Sequence, residues 1–205
     1  MADELLHSIP RLWRGSRMPE AARRTFPTGF AELDRELPGG GWPLGAVIEL
    51  LIDTVGIGEL RLLLPALRNL SLAGNHILFI HPPYQASAPA LHAAGIDLDR
   101  LLVIGTEDGR DILWAAEQAL RNPACGAVLV WARDAGRQFS DDRVRRLQVA
   151  AQDGQSILFL YRMGRRSISR WAALRMELLP AQDGLQVSVL KAAGTHRRPQ
   201  VHVRT

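Results

Sequence analysis

Short, nearly continuous apolar runs recur along the chain, and the stretches between them carry apolar residues at three- and four-residue spacing. "GAVIELLI" (45–52), "HILFIH" (76–81), "LLVIG" (101–105), "GAVLVWA" (126–132) and "SILFLYR" (156–162) are runs of the kind found in strands buried on both faces. Between them, "LRLLLPALRNLSLA", "SAPALHAAG", "GRDILWAAEQALRN" and "DDRVRRLQVAAQ" read as helices, preceded by a short one from about Phe30 to Leu37. Ile112, Leu113, Ala116 and Leu120 fall on one helical face, Ser140 stands where a cap belongs, Gly95 ends its helix, and Pro65 implies a kink or register break. The alternation predicts an α/β fold: a mainly parallel central sheet with helices on both faces.

Three further strand-like segments, "ALRMELLP", "GLQVSVLKAA" and "PQVHVR", lie close together and predict an antiparallel C-terminal edge. "PGGG" (38–41) must be a loop, since consecutive glycines weaken any regular element. Residues 1–25, with five arginines and an isolated Trp13, read as an N-terminal arm. The remainder, 26–205, reads as a single domain with a basic C-terminal segment over about 162–205, in which "MGRRSISR" (163–170) is the segment expected to be mobile.

Composition narrows the class. No apolar run approaches the roughly 18 residues of a membrane span, and "MADELLHSIPRLWRG" has no apolar leader, so the expectation is a cytoplasmic protein without a membrane partner. A single cysteine, Cys125, expected in a turn before a strand, excludes an internal disulfide or a multi-cysteine metal site. The net charge of +4 is unevenly spread, with nine basic residues from Arg162 onward against Glu177 and Asp183. Arg162, Arg165, Arg166, Arg170, Arg197 and Arg198, with Trp13 on the arm, are the candidates for contact with an acidic partner or with DNA. Trp114 and Trp131 are expected in packing, whereas Trp42 and Trp171 lie in less regular segments suited to anchoring a partner.

"ELLIDTVGIGELRLLLPAL" (49–67) reads as strand, glycine turn and helix, the place where many nucleotide-binding proteins carry a phosphate loop. With Gly58 as the second glycine of that signature, the first falls on Asp53, the lysine on Glu59 and the hydroxyl on Leu60; Gly56 helps shape the turn. Each carboxylate about 4 Å from a phosphate costs about 1 to 4 kcal/mol at effective dielectrics from ~80 down to ~20. The expectation is no nucleotide, no metal and no other cofactor. An enzyme of another kind finds little support: His81 at a strand end, with Tyr84 and Asp134, is the best grouping, and no histidine pair has metal-ligand spacing with a carboxylate.

"PTGFAELDRELPGGGWPLGAVIEL" resembles the entry to the RecA ATPase core, and the likeness runs to about Tyr161. The resemblance places the family's catalytic glutamate at Pro83, the acidic position before it at His81 and the Walker B aspartate at Trp131, so it implies a RecA-like fold whose ATPase residues are gone. Within that superfamily, "LWRG", "LPGGGWPLGAVIELL", "GIGELRLLLPAL", "HPPY", "LWAAEQALR" and "RRLQVAAQ" resemble the ImuA family of translesion DNA synthesis-associated proteins. That resemblance implies a non-catalytic, SOS-induced accessory whose partners are a Y-family polymerase homologue, an error-prone polymerase III α-type subunit and, in some relatives, RecA. A weaker resemblance, to the SulA cell-division inhibitors, implies FtsZ as partner instead.

Overall fold

The computed structural model describes residues 24–106, 108–132, 139–163 and 169–205. Its centre is an eight-stranded sheet in the order β10-β9-β8-β3-β7-β6-β4-β5. The strands are β3 (Ala46–Ile52), β4 (His76–Ile80), β5 (Leu101–Ile104), β6 (Cys125–Ala132), β7 (Ile157–Met163), β8 (Leu174–Ala181), β9 (Gly184–Ala192) and β10 (Gln200–Arg204). From β8 through β3, β7, β6 and β4 to β5 all neighbours are parallel, and β8, β9 and β10 form an antiparallel meander. The expected mainly parallel sheet with an antiparallel C-terminal edge is therefore present, and β8 belongs to both parts. A separate two-stranded ribbon, β1 (Thr25–Phe26) with β2 (Trp42–Pro43), precedes it.

Helices α1 (Ala31–Asp34), α2 (Leu64–Leu72), α3 (Ala88–Ala93), α4 (Gly109–Arg121) and α5 (Asp141–Gly154) complete the described fold. The α4 helix starts where the Asp108 carboxylate accepts from the Arg110 amide at 2.7 Å, and it buries Ile112, Ala116 and Leu120. Ser140 does precede α5, but its hydroxyl makes no capping bond; Asp141 and Asp142 supply negative charge to that first turn. Pro65 does not kink a helix. It sits in the first turn of α2, where its missing N–H is not needed, and residues 59–63 form turns instead of helix. Gly154 lets α5 end against α4, because a Cβ there would stand 1.9 Å from the Leu120 carbonyl oxygen.

The pleat divides the core in two. Ile48, Leu50 and Ile52 join Phe79, Trp131, Phe159 and Tyr161 on one face, while Val47, Leu158 and Leu160 face the α4–α5 layer. Trp42 belongs to the first cluster: it is fully buried, edge-on to Phe159 with ring centroids 5.2 Å apart. It is thus a core residue and not a partner anchor, because the ribbon folds it under the sheet. Trp114 departs from expectation in the opposite sense, 67% exposed on the outer face of α4. Cys125 is the first residue of β6 and is buried, not in the preceding turn.

One charge lies inside this apolar frame. Glu49, midway along β3, has no exposed surface. Its register partner on β8 is Arg175, whose Nε lies 2.8 Å from Oε2, and Arg162 on β7 brings its Nε to 3.0 Å from Oε1. The Ser169 amide donates to the same carboxylate at 3.1 Å, and Arg175 also donates to the Ser169 carbonyl. Arg162 further donates to the Phe139 carbonyl at 2.8 Å. Arg162 is therefore not a surface contact: a buried carboxylate holds it in.

Glu49→Gln should destabilise the fold by about 3–5 kcal/mol, since it leaves two guanidiniums inside with their counter-charge removed. Urea melts read the loss, and Glu49→Leu combined with Arg162→Met and Arg175→Met should recover most of it. Burial pushes the Cys125 thiol from its ordinary 9.0 up to about 12, against an opposing backbone hydrogen bond at Ala127. The unfolded chain releases that proton near pH 9 while the folded one retains it, so this contribution to stability should fall as pH rises from about 9 towards 12. A thiol reagent at pH 8 should label Cys125 only in denaturant.

A candidate binding groove at the strand ends

Beyond the carboxyl ends of β3, β4 and β6 the chain opens into a groove of about 790 Å3, continuous through Pro83, Tyr84 and Trp131 with a second hollow of about 360 Å3. Open α/β sheets place ligands at this end, so the local chemistry decides what can bind. The loop after β3 runs through Asp53, which is exposed, to Gly56 and Gly58, with φ of +86° and +97°. Those backbone angles suit glycine, and they turn the Gly56 amide inward. The amide donates to both oxygens of Glu59, at 3.0 and 3.1 Å. Glu59 is itself buried, and its carbonyl accepts from the Tyr161 hydroxyl at 3.2 Å. Burial, seconded by the Glu59 charge, holds the Tyr161 hydroxyl well above its ordinary pKa, so it stays a donor.

A phosphate loop offers free amides and a cation to an incoming anion. Here a built-in carboxylate already accepts from the Gly56 amide, and Leu60, at the position of the magnesium-binding hydroxyl, packs against the core. The groove floor is aromatic: Trp131 stacks on Tyr161 with centroids 5.0 Å apart and meets Phe79 edge-on at 5.6 Å. Tyr84, 70% exposed, stands at the rim. His81 adopts φ 54°, uncommon for a non-glycine residue, and its amide bonds the Ile104 carbonyl at 2.8 Å. Asp134, the proposed companion of His81 and Tyr84, lies outside the described residues. Among the described residues no three His, Cys, Asp or Glu side chains are grouped to hold a metal ion.

Among the described residues the basic candidates do not form one patch. Trp13, Arg165 and Arg166 lie outside the described residues, as does most of the segment expected to be mobile. Arg170 is exposed, 3.2 Å from Asp141 and over the Trp171 ring. Arg197 pairs with Glu36 at 3.2 Å, and Arg198 donates to the Leu190 carbonyl. The C-terminal segment is a folded meander whose β10 alternates exposed and buried residues, and the His202 and Arg204 side chains both meet Asp183. Sequence reasoning passed over Tyr161 and Glu49; only Glu49 left a signal, as the charge interrupting an apolar strand.

These features define an α/β protein of the RecA type in which the phosphate-loop position is filled by the chain's own side chains. More narrowly, the chain belongs to the family described as "Cell division inhibitor SulA", whose model matches residues 46–158. It is similar to the RecA proteins of Rhodococcus opacus and Rhodococcus jostii, each 32% identical over 123 residues. Each match covers 60% of this chain and 34% of the RecA protein, so the chain spans about a third of the length of these relatives. A crystal structure of SulA from Pseudomonas aeruginosa aligns at 29% identity over 58% of this chain and 98% of that one, with a TM-score of 0.46. Among the described residues no helix is long and apolar enough to cross a membrane.

Tyr161→Phe should cost about 1–3 kcal/mol in denaturant melts, because it leaves the Glu59 carbonyl without its donor inside the fold. Tyr161→Trp should fare no better, since its ring nitrogen cannot reproduce the hydroxyl's position.

Proposed function

We propose that the chain is a non-catalytic RecA-like accessory of the SOS response that works by protein–protein contact. One observation carries this reading: the Gly56 amide is taken by the Glu59 carboxylate in a groove lined mainly by apolar and aromatic groups, with Arg61, Gln85, Ser87, Gln182, Asp183 and Thr205 as its other polar members. Magnesium–nucleotide binding requires the opposite charge there, whereas apolar surface with a rim tyrosine suits the anchor residue of another protein. The first reading of its role is support of error-prone translesion synthesis, with a Y-family polymerase homologue, a polymerase III α-type subunit and RecA as candidate partners. The motifs spread from "LWRG" to "RRLQVAAQ" support it. The second reading, inhibition of cell division through FtsZ, is favoured by the family match over residues 46–158.

The test uses the purified chain as immobilised bait in extract from DNA-damaged cells, beside a Tyr84→Asp variant. Tyr84 is exposed, so the change should leave the fold intact while placing a charge at the groove rim. Polymerase subunits or RecA retained by the wild type and reduced at least tenfold on the variant support the first reading. FtsZ retained in their place supports the second. Recovery of none of these proteins overturns both.

A further inference from the structure

At the opposite end of the sheet from the groove, where β3 and β8 begin, a cleft of about 510 Å3 opens between α5, the start of β8 and the end of β9. Arg24, Arg170 and Lys191 reach it, Gln152 and Gln155 flank it, Trp171 forms one wall, and among the described residues no Asp or Glu lines it. Trp171 is gripped by guanidiniums, Arg145 at 4.9 Å and Arg170 at 5.6 Å from the ring centroid. These contacts hold the arginines in place before any ligand arrives. Lys191 donates to the Arg170 and Ala172 carbonyls, at 2.5 and 2.6 Å, and retains a third proton to donate. Among the described residues no carboxylate lies within ion-pair distance of Arg24, Arg145 or Lys191. The Trp171 ring nitrogen is shielded from solvent with no acceptor among those residues.

The array carries an excess of positive charge: Arg170 is paired with Asp141 at 3.2 Å, while Arg24, Arg145 and Lys191 meet no carboxylate among the described residues. The geometry points to a binding site for single-stranded nucleic acid, with phosphates held by Arg24, Arg145, Arg170 and Lys191 and a base at the Gln152–Gln155 edge. Three features favour nucleic acid over an acidic peptide. The guanidinium fork matches two phosphate oxygens at once. Basic residues interleaved with an indole are the pattern of strand-tracking grooves. The paired carboxamides offer the donor and acceptor sets that bases use, which a run of carboxylates would leave idle. This site is separate from the strand-end groove, so it stands or falls independently of the partner proposed above.

The test is fluorescence anisotropy with a short labelled oligothymidylate, titrated with the full chain at several salt concentrations. Four phosphate contacts predict a slope of log K against log salt of about −3. Arg24→Ala with Arg145→Ala, both at exposed positions, should lower affinity about tenfold or more and flatten the slope to about −1.5. Arg145→Lys should keep the slope, and Arg61→Ala, at the other end of the sheet, should change nothing. Wild-type binding absent at low salt overturns the site. So does an unchanged slope in the double variant, or polyglutamate displacing the oligonucleotide at equal charge, which would make the cleft a site for acidic peptide.

Discussion

Glu49 imposes the constraint around which the rest of the molecule is arranged. A carboxylate at the centre of a fully covered strand is tolerable only if its charge is met on every open side, because its desolvation is otherwise worth several kcal/mol. Arg175 meets it across the β3–β8 register, Arg162 from β7, and the Ser169 amide from the returning chain. Each partner ties down more than itself. Arg175 pins β8 parallel to β3 before the antiparallel meander begins, and Ser169, whose hydroxyl also donates to Asp141 at 2.6 Å, sets the chain that leads into Trp171. That hydroxyl, followed by the Arg170 amide and side chain, holds the Asp141 carboxyl below its ordinary pKa and keeps it charged at the start of α5.

The same frame separates two ends with different chemistry. At the carboxyl ends of the strands a loop of phosphate-binding shape is closed by Glu59 and floored by Phe79, Trp131 and Tyr161. At the amino ends of β3 and β8 Arg24 and Lys191 meet no carboxylate among the described residues, and Arg170 pairs with Asp141 at the cleft's edge. Anionic ligands are thus disfavoured at one end and favoured at the other, although the chain's net charge is only +4.

Much of the fold was legible because strands buried on both faces must be continuous apolar runs, and β3, β4, β6 and β7 are such runs. Positions whose surroundings are non-local were misread. Arg162 counted as basic surface because composition cannot show that one distant glutamate draws it inside together with Arg175. Trp42 follows a glycine loop and looked irregular, yet a two-residue strand turns it under Phe159. Trp114 was legible in principle: with Ile112, Ala116 and Leu120 inward, the helical period carries residue 114 to the outer face. Of the site, the missing lysine and hydroxyl could be read from spacing, but not the bond from the Gly56 amide to Glu59 or the stack of Trp131 on Tyr161.

The central claim is that the strand-end loop takes its own carboxylate in place of a nucleotide. Isothermal titration calorimetry with magnesium–ATP at millimolar concentration tests it most directly, beside Glu59→Lys with Leu60→Thr to restore the two missing groups. The account predicts no saturable heat for the wild-type chain. Saturable magnesium-dependent binding by the wild type would contradict it.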